Sequence, residues 1–217
     1  MLATTGGCAH FGGRPSWWPF RGPRDPKTAN IVTPTERIAE LQSTAERAHR
    51  ATPEEQQRLA EELGQSIRAE DDPLIRAEIV RALGNCSSPK ADALLRAATE
   101  DPSREVRMAA CRAWGERGGV DAAAILSQVL TGDDDTDVRL AAIEALGQCR
   151  DPAAVAALGP ALEDRDPAMQ YRAVLALKDL TGEDFGNDVD RWRQYVQGEV
   201  PAETAPRSVA ERLRRIF

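Results

Sequence analysis

Hydrophobic residues in the middle of the chain recur every three or four positions, which is the spacing of an amphipathic α-helix. Val138, Ala141, Ala142, Ala145 and Leu146 show this spacing within one short stretch. No segment alternates Val, Ile or Thr with polar residues, so the pattern predicts no β-strand. Ala, Leu, Glu and Arg are abundant here and are strong helix formers. The pattern therefore predicts an all-α protein.

The hydrophobic pattern occurs four times along the chain. Leu83, Trp114, Leu146 and Leu177 hold the same place in four aligned segments, and the interval between successive copies is nearly constant. Each copy has the pattern of two helices, and one pair alone cannot bury its hydrophobic stripe, so the copies must stack. We expect first helices at 53–69, 88–99, 120–131 and 152–163, second helices at 73–85, 103–117, 136–149 and 167–180, and a capping helix at 35–50.

Residues that favour helix ends separate these elements. Asp-Pro pairs at 72–73, 101–102 and 166–167 predict the starts of second helices, because Asp caps free amides and Pro fits a first turn. The third copy has the polar run 133–137 at this place. Three glycines are expected to form the C-caps of second helices, namely Gly84, Gly115 and Gly147.

The second helices resemble HEAT repeats, in the short bacterial form that also occurs in phycobilisome lyases. The shared motif is an Asp followed by Val-Arg, small residues and an Ala-Leu-Gly ending, as in Val138–Gly147. The resemblance covers about residues 53–181. It implies a right-handed α-α superhelix, a HEAT-like solenoid of about four helix pairs with capping helices.

The resemblance also implies a structural ladder of Asp–Arg pairs between neighbouring repeats. The fourth copy has Gln170 at the Arg position, so the ladder should end there. The residues implied are Asp72, Asp101 and Asp135, facing Arg76, Arg107 and Arg139.

Composition changes sharply at both ends of the chain. Gly and Pro crowd positions 1–33 and forbid a long helix there. The expected organisation is a disordered Gly/Pro-rich tether (1–33), an N-terminal capping helix (34–52), four repeats (53–181), an aromatic C-terminal cap (182–198), and a linker with a basic amphipathic tail helix (199–217).

Aromatic residues follow the last repeat. Phe185, Trp192 and Tyr195 are interpreted as a lid over the end of the stack, which terminal repeats need; the alternative is a ligand-contacting patch. The tail helix either binds a partner groove or a lipid surface, or is a frayed end without function. Its hydrophobic face consists of Val209, Leu213 and Ile216.

The segment from Leu2 to Cys8 resembles the end of a bacterial lipoprotein signal, in which small residues precede a Cys that becomes lipidated. Thr5 departs from the usual Leu or Val, and a start upstream of Met1 would be needed to supply the hydrophobic region. Lipidation of Cys8, with Trp17-Trp18-Pro19-Phe20, would hold the chain at a membrane. The alternatives are a plain tail and a strap against the solenoid end. The expected compartment is the cytoplasm, or the membrane if the start lies upstream.

Charge is distributed unevenly. The chain carries −7 overall, but residues 9–33 and 206–217 each carry +3, which leaves the body at −13. An acidic body repels a phosphate backbone, so we expect no nucleic-acid partner.

The sequence contains no motif that predicts catalysis or the binding of a metal or cofactor. Phosphate-binding loops and metal-ligand spacings such as C-x-x-C or H-x-x-x-H are absent, and no cofactor is expected. Asp133, Asp135 and Asp137 with Glu144 superficially resemble a calcium loop, but Val138 takes the place of its required Gly.

The cysteines of the repeats and Trp114 are interpreted as core residues. Cys86 and Cys149 hold equivalent repeat positions two copies apart, too far for a disulfide, and Cys111 lies inside a second helix. Trp114 fills the repeat's Leu position, which favours core packing over stacking on a nucleic-acid base.

The sequence therefore predicts a non-catalytic protein-interaction or scaffolding module. One alternative is a lyase-type or chromophore-handling enzyme subunit resembling phycobilisome lyases, and another is a lipid-anchored envelope scaffold. The expected contact residues are exposed positions of the second helices, Arg81, Arg112, Glu144 and Arg172.

Overall fold

The computed structural model describes residues 32–199, and within that range every regular element is a helix. The helices are α1 (Pro34–Arg50), α2 (Pro53–Ala69), α3 (Pro73–Gly84), α4 (Pro89–Ala98), α5 (Arg104–Arg117), α6 (Gly119–Gly132), α7 (Thr136–Gln148), α8 (Ala153–Ala157), α9 (Gly159–Leu162), α10 (Pro167–Thr181) and α11 (Val189–Val196).

The helices form two rows. In the front row α1, α3, α5, α7 and α10 pack side by side in that order. The back row consists of α2, α4, α6, α8 and α9, and α2, α4, α6 and α8 each pack against two front helices. The chain is thus an all-α solenoid of stacked helix pairs, as the hydrophobic pattern predicts.

One continuous core lies between the rows. Leu83, Leu146 and Leu177 are fully buried and Trp114 is 4% exposed, which confirms that the four repeat-defining positions face the core. Small alanines next to them let neighbouring helices approach closely.

Helix starts follow local capping chemistry. Asp72, Asp135 and Asp166 accept hydrogen bonds from backbone N–H groups in the first turns of α3, α7 and α10. Asp101 differs from the prediction, because α5 begins later and Ser103 takes the N-cap place without a side-chain cap bond. The Asp101 carboxylate instead accepts a hydrogen bond from the Ser103 N–H at 2.8 Å.

The glycines predicted as C-caps have another role. Gly115 and Gly147 lie inside α5 and α7, and Gly84 is the last residue of α3. A Cβ on Gly115 would lie 2.8 Å from the Cα of Ala145 in the next repeat. Glycine is required here because neighbouring front helices touch backbone to backbone, which the sequence pattern alone does not reveal.

The first helix of the fourth pair is also broken where one helix, 152–163, is expected. Gly159 and Pro160 divide it into α8 and α9, and the Leu158 N–H bonds back to the carbonyls of Ala154 and Val155. Pro160 has no N–H with which to continue the helical hydrogen bonding, so the chain turns there.

Candidate functional site

An Arg–Asp ladder runs along the edge where the front-row helices begin. Arg76 donates from Nε and Nη2 to Asp101 at 3.1 and 3.0 Å. In the next repeat, Arg107 donates to Asp133 at 2.7 and 3.0 Å. The third rung is a single hydrogen bond of 2.9 Å from Arg139 to Asp164. Each rung joins one repeat to the next.

The ladder's partners correct the sequence prediction. Asp72 and Asp135 cap their own helices, and neither binds Arg76 or Arg139. The ladder carboxylate stands two positions before the cap. Asp133 lies one repeat after Asp101, and Asp164 lies one repeat further. The repeat spacing alone could therefore have identified the carboxylates of the ladder.

Each ladder carboxylate is held from two sides. The Asp133 carboxylate also accepts the Asp135 N–H at 2.9 Å, and Asp164 accepts the Asp166 N–H at 2.8 Å. Burial opposes ionisation of Asp133, but the hydrogen bonds from Arg107 and the Asp135 N–H outweigh it and lower its pKa. The Asp166 N–H is the main cause of the lowered pKa of Asp164.

The last copy shows how the ladder ends. Gln170 donates from Nε2 to the Asp164 carbonyl at 2.7 Å. Arg107 makes the corresponding bond to the Asp101 carbonyl at 3.0 Å. Gln170 therefore keeps the contact within its own repeat, while its shorter side chain makes no rung to a following one within residues 32–199.

The four residues predicted to form the interaction face are all exposed on the front row. Arg81, Arg112 and Glu144 hold equivalent places in successive repeats. The fourth equivalent is Leu175, and Arg172 lies one turn earlier on α10. Arg81 pairs with Glu78 on its own helix.

A groove of about 410 Å³ lies along this face between α1, α3 and α5. Its charged lining consists of Arg81 and Arg112 with Glu78 and Glu116, and its floor contains small residues such as Ala82 and Ala113. Such a surface offers both charges and apolar contact to a partner.

A second groove, the rim groove, lies where the front-row helices end. It has a volume of about 1060 Å³, and sequence reasoning missed it because its lining comes from the ends of separate helices and the loops that follow them. The lining residues are Glu116, Arg117, Gly118, Gly147, Gln148, Cys149, Arg150, Asp151, Pro152, Val155, Asp179, Leu180, Thr181 and Tyr195.

The side chain of Arg117, at the border of the rim groove, points towards the protein interior. Its Nη2 donates to the Leu83 carbonyl at 3.0 Å and to the Cys86 carbonyl, and its Nη1 pairs with Asp92. The guanidinium lies 5.6 Å from the Trp114 ring centre. Burial lowers the pKa of Arg117. This side chain caps the end of α3 from the next repeat.

The three cysteines in the described range are free and buried. Burial raises the pKa of Cys86, that of Cys111 to about 12 and that of Cys149 to about 11. A thiol of this kind is a poor nucleophile at neutral pH.

The aromatic residues after the repeats form one cluster. Phe185 lies 4.8 Å from Trp192 and 5.4 Å from Tyr195, measured between ring centres. Trp192 is fully buried, and its Nε1 donates to the Gly186 carbonyl at 3.1 Å. Arg193 joins α11 to the Leu162 carbonyl at 2.7 Å. The cluster packs on the end of the stack, the place that a lid would occupy.

No group of three His, Cys, Asp or Glu side chains within residues 32–199 is arranged to hold a metal ion. The carboxylates of the calcium-like pattern serve other purposes, since Asp133 binds Arg107 and Asp135 caps α7. No helix within that range is long and apolar enough to cross a membrane. Cys8, the cluster Trp17-Trp18-Pro19-Phe20 and the tail helix lie outside the described residues.

Stacked helix pairs joined by an Arg–Asp ladder define the chain as an α-solenoid repeat protein. A sequence profile described as HEAT repeats matches residues 60–146 and 124–189, and the chain belongs to this family.

Among solved structures, human deoxyhypusine hydroxylase in complex with glycerol is similar, with 25% sequence identity and a TM-score of 0.50. The similar region covers 57% of this chain and 44% of the hydroxylase chain, so this protein spans less than half of that enzyme. A search of curated proteins found no match.

Proposed function

We propose that this protein is a non-catalytic scaffold whose front row binds a protein partner. The observation that carries this proposal is the contrast between two sets of charged residues. The arginines of the ladder are all engaged by the fold. Arg112, Glu144 and Arg172 are exposed on the front row and make no hydrogen bond or ion pair within residues 32–199.

The repeat geometry supports a binding role for this face. Arg112 and Glu144 hold equivalent places on adjacent helices, so they present one cation and one anion side by side. The groove of about 410 Å³ next to Arg112 has an apolar floor that a partner side chain could contact. A partner with complementary charges would gain specificity from this arrangement. The partner is a protein rather than a nucleic acid, because the chain carries −7.

Site-directed photocrosslinking in the native cell tests this proposal. A photoreactive residue at position 112 or 144 is expected to capture the same protein, whereas positions 96 and 128 on the back helices α4 and α6 are not. The exposed Arg96 provides a matched control for charge reversal. Arg112→Glu should reduce capture from position 144 about tenfold or more, and Arg96→Glu should leave it unchanged. Equal capture from front and back positions would contradict a front-row site.

A catalytic role is the second candidate, and the similarity to deoxyhypusine hydroxylase, itself an enzyme, supports it. For a chromophore-handling subunit, the purified protein should shift the visible absorbance of a linear tetrapyrrole. A spectrum unchanged across a tetrapyrrole series would remove that form of the candidate.

A lipid-anchored form of the scaffold depends on Cys8, outside the described residues. Mass spectrometry of the N-terminus of the native protein distinguishes a lipidated Cys8 from an unmodified one.

A further inference from the structure

The rim groove lies where three helices end. α5 ends at Arg117, α7 at Gln148 and α10 at Thr181, and residues from all three ends line the groove. The carboxyl end of a helix carries unpaired carbonyl groups and the negative end of the helix dipole, which attract cations. The ends of α5, α7 and α10 therefore favour a positively charged occupant, and of the two helices that begin beside them, α6 and α8, the second is capped by the Asp151 carboxylate.

Unpaired carboxylates add to this preference. Glu116 and Asp179 are exposed in the groove lining and make no hydrogen bond or ion pair within residues 32–199. Asp151 also lines the groove and accepts the Ala153 N–H at 2.8 Å. Arg150 is the opposing exposed cation, since Arg117 is bound to α3. The groove is acidic overall.

The repeats themselves indicate which cation fits. Positions 86, 117, 149 and 180 are equivalent, with the same spacing as the four repeat-defining positions. At the end of α3 the guanidinium of Arg117 fills the junction with the next repeat and binds the carbonyls of Leu83 and Cys86. At the next two junctions the equivalent residues are Cys149 and Leu180, which cannot donate in this way. The rim groove lies at these two junctions.

We propose that the rim groove binds the C-terminal segment of the same molecule, residues 207–217. This segment carries four arginines and one glutamate, Arg207, Arg212, Arg214, Arg215 and Glu211. In this arrangement its arginines donate to backbone carbonyls at the ends of α5 and α7, as Arg117 does at the end of α3. The apolar side chains Val209, Leu213 and Ile216 contact the apolar part of the lining, Val155, Leu180 and Tyr195.

The connection is long enough and begins at the groove. Tyr195 lines the groove, and shortly after it the Glu199 N–H bonds back to the Gln194 carbonyl at 2.9 Å. Residues 200–206 span about 24 Å when extended, at roughly 3.4 Å per residue. A short tether raises the local concentration of the segment to about the millimolar range, so modest contacts suffice for binding.

Photocrosslinking within the full-length chain tests this proposal. Ile216→p-benzoylphenylalanine is irradiated at low protein concentration, and the crosslinked peptides are identified by mass spectrometry. We expect a product with the mass of one chain, crosslinked within residues 147–155 or 179–181. Crosslinks to other surfaces, or none, would overturn the proposal. A product of two chains joined at the same groove peptides would overturn the intramolecular form and assign the groove to the tail of a second copy.

Charge-reversed variants separate binding from folding. Glu116→Lys with Asp179→Lys should lower the crosslink yield about fivefold, which corresponds to roughly 1 kcal/mol. The dipole of a helix stabilises a lysine near its C-terminal end, so this variant should stay folded. Glu100→Lys with Asp134→Lys makes the same change in net charge at exposed sites outside the groove and should leave the yield unchanged. Equal yields from the two double variants would contradict the proposed site.

Discussion

Arg107 in α5 binds Asp133 in the loop before α7, with its Nε 2.7 Å from Oδ2 and its Nη2 3.0 Å from Oδ1. The two side chains are 17% and 8% exposed, so solvent screens this pair only weakly. A planar guanidinium that faces a carboxylate with two bonds fixes the angle as well as the distance between neighbouring repeats.

Replacing Arg107 by Gln should lower the free energy of unfolding by about 2 kcal/mol, because it removes a charged hydrogen-bonded pair that is mostly buried. At the equivalent position Gln170 still donates to the carbonyl of the loop in its own repeat. The loss of unfolding free energy in Arg107→Gln is therefore due to the missing bonds to Asp133. Urea denaturation measures the change. In a double-mutant cycle with Asp133→Asn the two losses should not add. Full additivity would show that the rung does not couple the repeats.

The lowered pKa of Asp133 makes the stability of the solenoid depend on pH. A carboxylate whose folded pKa lies below its unfolded value of about 3.9 adds stability that is fully present above that value and is lost as the pH falls through the folded pKa. The difference in unfolding free energy between the wild type and Asp133→Asn should therefore be largest near neutral pH and shrink below about pH 4. Urea titrations at several pH values test this, with exposed Asp134→Asn as control. A difference that grows in acid would contradict the assignment.

Gly115→Ala should destabilise the protein by about 2 kcal/mol, despite the higher helix propensity of alanine. The new Cβ would lie 2.8 Å from the Cα and 2.9 Å from the carbonyl oxygen of Ala145, which cannot move unless two helices separate. Gly132→Ala is the matched control, since its added Cβ would have no atom within 4 Å apart from its chain neighbours and the backbone of its own helix. That variant should gain up to about 1 kcal/mol. Thermal unfolding of both variants gives the comparison, and similar changes would refute the close helix contact.

The buried thiols should resist labelling in the native protein. With the pKa of Cys111 raised to about 12 and that of Cys149 to about 11, neither thiolate forms appreciably near pH 8. A Cys8→Ser variant should not react with a thiol-specific disulfide reagent until guanidinium unfolds it, and all its remaining thiols should then react. Rapid labelling of the folded variant would show that these positions open to solvent.

Much of the fold is readable from local pattern. The predicted helix at 53–69 matches α2, and the one predicted at 136–149 extends just beyond the end of α7, because apolar spacing and capping residues act over one or two helical turns. Burial of Trp114 followed from its place in the repeat. The break between α8 and α9 was missed, although Gly159-Pro160 signals it.

The candidate sites were less predictable. The exposed positions Arg112 and Glu144 follow from helical periodicity, which fixes the face on which a residue lies. The rim groove does not follow from it, since Glu116 lies on α5, Asp151 in the loop between α7 and α8, and Asp179 on α10, and the three meet only when the helices stack.

The sequence by itself determined that this chain is a stack of helix pairs in the HEAT repeat family, because short-range spacing, caps and a regular repeat length are visible in the order of residues alone. Only the tertiary structure decided which carboxylate each ladder arginine binds, why Gly115 must lack a side chain, and that Arg117 caps a helix of the preceding repeat. These relationships join side chains and backbone groups of different repeats, far apart along the chain. Their geometry depends on how closely and at what angle whole helices pack, which no local pattern specifies.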